Sequence, residues 1–369
     1  MVTVMHYVSK MDRAGQETFI MNLFRKIDRR IIQFKFLCTS DSEGEYDAEI
    51  MQLGGEIKYI HLNRKFGKLK QLDNMWLLFS FLHEKSNRPD VFHIHTQHAM
   101  DAFCSALMAK AAGVKMVIVH SHNTSTVYHL KAHKLFKILL KMLPIERYAC
   151  SKAAGIWMFG KSKFYKINNG IEINNFRYDQ STRKQVRDKM GWNNKYIIGH
   201  IGRFNIQKNH HYIIEIFKIV HQKIPNSELV LIGKGELFND ISDRIKQEHL
   251  ENAVSLLGVR NDVDQLYQGM DLFLFPSLFE GLPVVLVEAQ MSDLTCLISD
   301  TITREIDITN NIYRMSISEE AKKWAKKIIE LKNCTPNRSD VTEKMRNKGY
   351  DIELEAKKMQ KLYCKVLEK

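Results

Sequence analysis

Short apolar runs alternate with longer amphipathic stretches along this chain. Residues 2–7, 34–38, 91–95 and 114–120 are apolar or β-branched runs of the kind that predict buried strands, and between them 17–26, 74–85 and 99–112 carry helical spacing. Strands separated by helices predict parallel βαβ units with both faces of the sheet covered. The pattern restarts at 196–201 and continues through 229–232, 254–257, 272–275 and 295–299. Between the first two of these, the helix 211–221 lines up Ile213, Ile214, Phe217 and Val220 on one stripe. An Asn-rich segment at 168–175, with Gly170, and the polar stretch 179–189 form the natural seam. In the last twenty residues Ile352, Ala356, Met359, Tyr363 and Val366 recur every three or four positions, so a terminal amphipathic helix must dock against something. The predicted architecture is α/β: two doubly wound, Rossmann-like domains, 1–175 and 176–349, facing across a cleft. A helix at 350–369 is expected to pack back on the first domain. Ligands of such sheets bind beyond the carboxyl ends of the strands, so the chemistry belongs in the loops that follow them.

Composition narrows the class. With 369 residues, 44% hydrophobic and 26% charged, the chain is long enough for two cores and too apolar to be disordered. No run approaches the roughly 18 apolar residues that span a bilayer, and residues 1–7 read as a strand rather than a signal peptide. The expected location is the cytoplasm, with the inner face of the cell membrane as a possible docking surface. Six cysteines without a C-x-x-C pair read as reduced, buried thiols. The net charge of +13 calls for an anionic partner: nucleic acid, an anionic membrane or an anionic small substrate. Basic residues cluster at 58–70, with Arg64, Lys65, Lys68 and Lys70, and at 131–141, with His133, Lys134 and Lys137 among apolar residues. The second cluster suits either a helix at a membrane interface or a core helix with a basic outer face.

Three loops carry the candidate chemistry. In the segment 275–290 a strand ends at Phe275, a turn holds Pro276, Gly281 and Pro283, and a helix follows. Glu280 sits in the turn and Glu288 eight positions later on the helix. A carboxylate accepts hydrogen bonds from vicinal hydroxyls, so the two suit a pair of sugars, while an ordinary surface turn and ion pair fit the residues as well. After the strand 196–201, Arg203 and Lys208 flank a short loop that opens a helix. Two cations with the free amides of a helix start make a diphosphate corner. A third loop, Gly233-Lys234-Gly235-Glu236, begins like a dinucleotide fingerprint but has Phe238 where the third glycine belongs. A dehydrogenase is therefore disfavoured, and these glycines are expected to admit a nucleotide close to the backbone.

Together these loops resemble the donor domain of the family-4 retaining glycosyltransferases, which have the GT-B fold. Glu280 and Glu288 match the family's E-x7-E motif, and 202–209 matches its G-R-x-x-x-x-K-N diphosphate loop. Residues 11–18, 149–152 and 168–171 resemble its landmarks in the first half, so the resemblance spans the chain. It is strongest to bacterial exopolysaccharide and capsule transferases. It implies transfer of a hexose-type sugar, with retention, from a nucleotide diphosphate to a lipid-linked or oligosaccharide glycan acceptor. The donor is a co-substrate, a UDP-sugar in the first instance, and no cofactor or metal is expected. The implied catalytic set is Glu280, His122, Arg203 and Lys208. The implied donor-binding set is Gly15, Gly202, Arg203, Lys208, Gly233, Gly235, Glu280, Gly281, Leu282 and Glu288. Arg203 and Lys208 would stabilise the leaving diphosphate, Glu288 the ribose and Glu280 the transferred sugar. Gly15 would let the first loop approach the phosphates. His122 would meet the donor sugar from the first domain, with His120 as the alternative. Two departures stand out: Ala14 replaces a frequent glycine, and Met291-Ser292-Asp293-Leu294-Thr295 replaces a run of small residues ending in Gly and Pro.

His93 and His95 fall on one face of a strand, with His98 just beyond. That alternation invites a metal reading, but a structural or acceptor-side role fits better, and no D-x-D-like pair or ligand cluster sits in a convincing loop. Two rival readings remain: a basic nucleic-acid-binding protein, for which no module is found, and a nucleotide-sugar epimerase of the same architecture.

Overall fold

A computed structural model describes residues 1–62, 68–125, 129–334 and 338–368, with the backbone alone at 68–71. The chain divides into two compact units, Met1–Gly170 with Ile352–Lys369, and Ile171–Asp351. Each is a parallel sheet with helices on both faces.

In the first unit the strands are β1 (Val2–Val8), β2 (Ile32–Cys38), β3 (Glu56–Tyr59), β4 (Val91–Thr96), β5 (Met116–Ser121), β6 (Glu146–Ala149) and β7 (Tyr165–Lys166), arranged in the order β3-β2-β1-β4-β5-β6-β7. The chain reverses its direction of winding between β1 and β4, the position where doubly wound sheets open a ligand crevice. The second unit holds β8 (Tyr196–Ile201), β9 (Ser227–Ile232), β10 (Val254–Leu256), β11 (Leu272–Phe275), β12 (Cys296–Ser299) and β13 (Ile312–Met315) in the order β10-β9-β8-β11-β12-β13. Its reversal falls between β8 and β11, which places the loops after both strands side by side.

The runs read as buried strands are the central ones, and β8 and β5 are buried at every position. The terminal helix, Ile352–Cys364, belongs to the first unit. Ile352, Ala356, Met359, Leu362 and Tyr363 join Phe19, Phe24, Phe34 and Phe36 in one core beneath β1 and the helix Gly15–Lys26. In the second unit the helices His210–Lys223 and Ala321–Asn333 pack together, with Trp324 fully buried and its indole N–H donated to Ser316 O at 3.1 Å. Of the cysteines, Cys38, Cys104, Cys150 and Cys296 are buried, Cys364 is half-buried and Cys334 is exposed. Among the described residues no helix is long and apolar enough to cross a membrane. The basic positions Arg64 and Lys65 lie outside the described residues.

Candidate active site

In the second unit the loops after β8 and β11 are stitched together. Asn205 caps a single 3-10 turn over Ile206–Lys208 by accepting from Lys208 N at 3.1 Å. Asn209 follows at φ 60°, a left-handed conformation that asparagine tolerates. Gln207 Nε2 donates to Phe279 O at 2.8 Å, Leu278 N donates to Gln207 O at 2.9 Å, and Asn209 Nδ2 donates to Pro276 O at 3.3 Å. These bonds fix the position of Lys208. Its ammonium lies 2.6 Å from Glu280 Oε1 and 4.6 Å above the Phe275 ring. Both partners of this pair are largely buried, at 14% and 8% side-chain exposure, so the pair is a built feature and not a surface encounter. Arg203 is not part of it. Its side chain is 63% exposed and pairs with Glu236 at 3.5 Å.

Glu288 lies on the helix Val284–Met291 that follows the turn, and it is buried. Tyr267 Oη lies 3.1 Å from both Glu288 Oε2 and Val285 O. Burial pushes the Glu288 carboxyl up to about 7, against a smaller downward pull from the Tyr267 hydrogen bond. The helix is anchored by Gln290, which donates to Ile306 O at 2.9 Å and accepts from Ile308 N and Thr309 N at 3.1 and 3.0 Å. Beyond it Asp293 takes a left-handed conformation, φ 45°. Ser339 N and Oγ donate to its Oδ2 at 2.7 and 2.9 Å, and Asn311 Nδ2 donates to its Oδ1 at 2.7 Å. The departure from a Gly-Pro ending is thus absorbed by a side chain whose hydrogen bonds offset the cost of the backbone geometry.

Gly233 and Gly235 have a packing reason of their own. Gly233 sits at φ 137°, and a Cβ there would fall 2.1 Å from Gly202 O; a Cβ on Gly235 would fall 2.3 Å from Phe204 O. The two loops touch backbone to backbone, so the space that these glycines clear is taken by the 202–204 segment. Gly281 and Leu282 are buried within the turn. Two histidines were passed over in the sequence. His200, at the end of β8, is fully buried, and its Nδ1 lies 2.9 Å from Leu274 O while its Nε2 has no hydrogen-bond partner. A Cβ on Gly202 would meet that Nε2 and the Lys208 Cε, each at 3.1 Å, so His200 lies directly beneath the lysine. His210 stacks on Phe204 at 4.1 Å. Burial takes His200 down to about 3 and His210 to about 2, so both are neutral at neutral pH. The only signal for His200 was its place as the penultimate residue of a strand that feeds the diphosphate loop.

In the first unit, Gly15 begins the helix Gly15–Lys26, and a Cβ built on it meets nothing within 4 Å. His122 follows β5 directly and is half-buried, whereas His120 is sealed in the sheet. His122 Nε2 lies 2.9 Å from His95 Nδ1.

Comparison with known proteins agrees with this geometry. Residues 182–348 match the family described as glycosyl transferases group 1, and residues 14–158 match the glycosyl transferase 4-like domain. The chain belongs to the glycosyltransferases built from these two domains. It is 34% identical to the protein named glycosyltransferase EpsF of Bacillus subtilis (strain 168), over 95% of this chain and 93% of that one. It is 26% identical to the capsular polysaccharide biosynthesis glycosyltransferase CapH of Staphylococcus aureus, over 98% and 99%. It is also 27% identical to the UDP-Gal:alpha-D-GlcNAc-diphosphoundecaprenol alpha-1,3-galactosyltransferase of Escherichia coli, over 65% and 64%. Among solved structures, Anabaena Alr3699/HepE in complex with UDP and glucose superposes with a TM-score of 0.79 at 18% identity, covering 98% of this chain and 99% of that one. The fold is therefore GT-B, with two Rossmann-like parallel-sheet domains. Neither the epimerase nor the nucleic-acid reading is favoured.

Proposed function

We propose that this glycosyltransferase moves a hexose-type sugar, with retention and without a metal, from a UDP-sugar to a lipid-linked glycan acceptor during exopolysaccharide or capsule assembly. The observation that carries the reading is the buried Lys208–Glu280 pair, held at 2.6 Å at the carboxyl edge of the second sheet. Bond cleavage in a nucleotide sugar builds negative charge on the diphosphate while the sugar approaches an oxocarbenium ion. Lys208 would exchange its carboxylate partner for a phosphate, with Arg203 swinging from Glu236 to assist. Glu280, released, would then accept from hydroxyls of the transferred sugar. Preorganised cations stabilise the leaving diphosphate more than the intact donor, which is the binding that accelerates the step. Glu288 would take the ribose hydroxyls, and the backbone of Gly202, Gly281 and Leu282 would line the nucleotide. The choice of UDP and of a diphosphate-lipid acceptor is supported by the name of the E. coli relative, and the polysaccharide setting by that of CapH. The exposed basic helix Leu130–Leu140 is the surface that would bring the enzyme to a membrane-held acceptor.

The test is release of nucleoside diphosphate from UDP-, GDP- and ADP-sugars with undecaprenyl-diphosphate-linked sugars as acceptors, the anomeric outcome being read by NMR. UDP release that requires the acceptor is expected. Lys208→Met should lower kcat about 10²–10³-fold while KM for the donor moves much less. Acceptor-independent release, or an unchanged kcat in the variant, would refute the assignment.

A further inference from the structure

The first sheet carries a stack of five histidines. In the register of the strands His6 lies beside His93, and His95 beside His120, with His122 one residue past the end of β5. Alternate positions on neighbouring strands point to one face, so the rings pile up there: His93 and His95 are 4.1 Å apart, His120 and His122 4.2 Å, and His95 and His122 5.1 Å. A core needs no such group; Val or Ile at these positions would fill the space without polar nitrogens. Nor are those nitrogens all used. His120 Nδ1 lies 3.2 Å from His93 Nε2, but His120 Nε2 is buried with no hydrogen-bond partner.

We propose that His95, His120 and His122 form a site for one first-row transition ion of the zinc class. Each offers a ring nitrogen, and the three lie within 4.8 Å of one another. His95 Nδ1 and His122 Nε2 are 2.9 Å apart and share a proton, which the ion would replace. The unpartnered Nε2 of His120 is the third ligand atom. Around a tetrahedral ion with Zn–N of about 2.0–2.1 Å, ligand nitrogens stand roughly 3.4 Å apart, so the widest separation must close by on the order of 1 Å.

The surroundings are those of ligating histidines, whose second ring nitrogen is held by a further partner. His95 Nε2 lies 2.9 Å from His6 Nδ1, and His120 Nδ1 is held by His93, whose own Nδ1 lies 2.8 Å from the Tyr363 hydroxyl. Burial keeps the imidazoles neutral, the form that binds metal. His122, half-buried just past the carboxyl end of β5, is the point of entry and leaves a fourth position for water. An all-imidazole set selects Zn, Co, Ni or Cu over Mg, Ca or Mn, which take oxygen ligands. A second triad, His6, His93 and His95, also brings ring nitrogens together, but all three residues are sealed from solvent. The proposal does not rest on the sugar-transfer reading, in which charge is neutralised by Lys208 and Arg203.

The experiment is titration of the metal-stripped full-length protein with cobalt(II), followed by displacement with zinc. One ion per chain is expected, with the intense visible absorption of four-coordinate cobalt. His122→Gln, which alters the least buried of the three ligands, should abolish the signal, and His93→Gln should weaken binding roughly 10–100-fold. His61→Gln and His211→Gln, which remove the exposed His–Asp pairs with Asp41 and Asp240, should leave it unchanged. X-ray absorption of the zinc-loaded wild type should show a nitrogen shell at about 2.0–2.1 Å, a result independent of whether any variant folds. Absence of stoichiometric binding, an oxygen-only shell, or a signal that survives His122→Gln and disappears in His61→Gln or His211→Gln would overturn the proposal.

Discussion

Glu288 shows how a single residue is held against stability. Its folded pKa of about 7 lies above the ordinary glutamate value of 4.5, because burial penalises the charged form. Between these two values the folded chain keeps a proton that the unfolded chain has lost, so stability falls as pH rises from 4.5 to 7 and stays lowered above that. Glu288→Gln carries no charge at any pH. Relative to wild type it should gain up to about 3 kcal/mol at pH 8 and nothing at pH 4.5, read by urea unfolding at both pH values. On the proposed function, UDP should stabilise the wild type against heat, and the same variant should lose that stabilisation. A stability difference that does not change with pH would contradict the assignment of the raised carboxyl. At this scale the sequence disclosed the residue types but not their partners. Glu280 and Glu288 were visible from their spacing, and Lys208 from its loop. The contact between Lys208 and Glu280 joins residues 72 positions apart and depends on the adjacency of β8 and β11, which no local pattern encodes. Tyr267, which meets Glu288, is an ordinary helical tyrosine in sequence, and His200 resembles any polar residue near a strand end.

Among the elements, legibility followed burial. The central strands β1, β4, β8 and β11 are rich in apolar residues, broken mainly by buried histidines, because helices cover both faces, and they were readable to within two residues. Edge strands β3 and β13 are only half-buried along their length, and β7 is two exposed residues, so none shows an apolar run. In β6, Glu146 and Arg147 interrupt the pattern. The helix at 74–85 begins earlier, at Lys68, ahead of its apolar stripe. The terminal helix was clear from its 3–4 spacing, and its contribution is open to measurement. Tyr363 is fully buried against Phe34, His6 and His93, with its hydroxyl on His93. Tyr363→Ala should cost on the order of 4 kcal/mol, seen as a lower midpoint in chemical unfolding of the first unit. Tyr363→Phe removes only the hydroxyl and should cost about 1 kcal/mol. Equal losses in both variants would mean that the hydrogen bond, and not packing, secures this helix.

Over the whole molecule the net charge is +13, and at one helix positive charge meets exposed apolar surface. On the helix Leu130–Leu140 and just past it, Leu130, Leu135, Ile138 and Met142 are 45–79% exposed, with Lys131, Lys134 and Lys141 exposed among them. The sequence left two readings for this helix, a core element or an interfacial one. Its buried residues, His133 and Leu140, tie it to the unit, His133 by stacking on Trp157 at 3.9 Å, while Leu130, Leu135 and Ile138 remain outside. A solvated helix has no physical reason to place Leu, Ile and Met between lysines, whereas a bilayer interface rewards both groups, the lysines by about 1 kcal/mol each near anionic lipid. Co-sedimentation with phosphatidylglycerol vesicles should therefore bind the protein at low salt and release much of it as ionic strength rises. Leu135→Asp with Ile138→Asp should abolish binding while leaving UDP stabilisation intact, because neither side chain supports the core. Retention by neutral phosphatidylcholine vesicles to the same extent, or full binding by the double variant, would show that this surface serves some other partner.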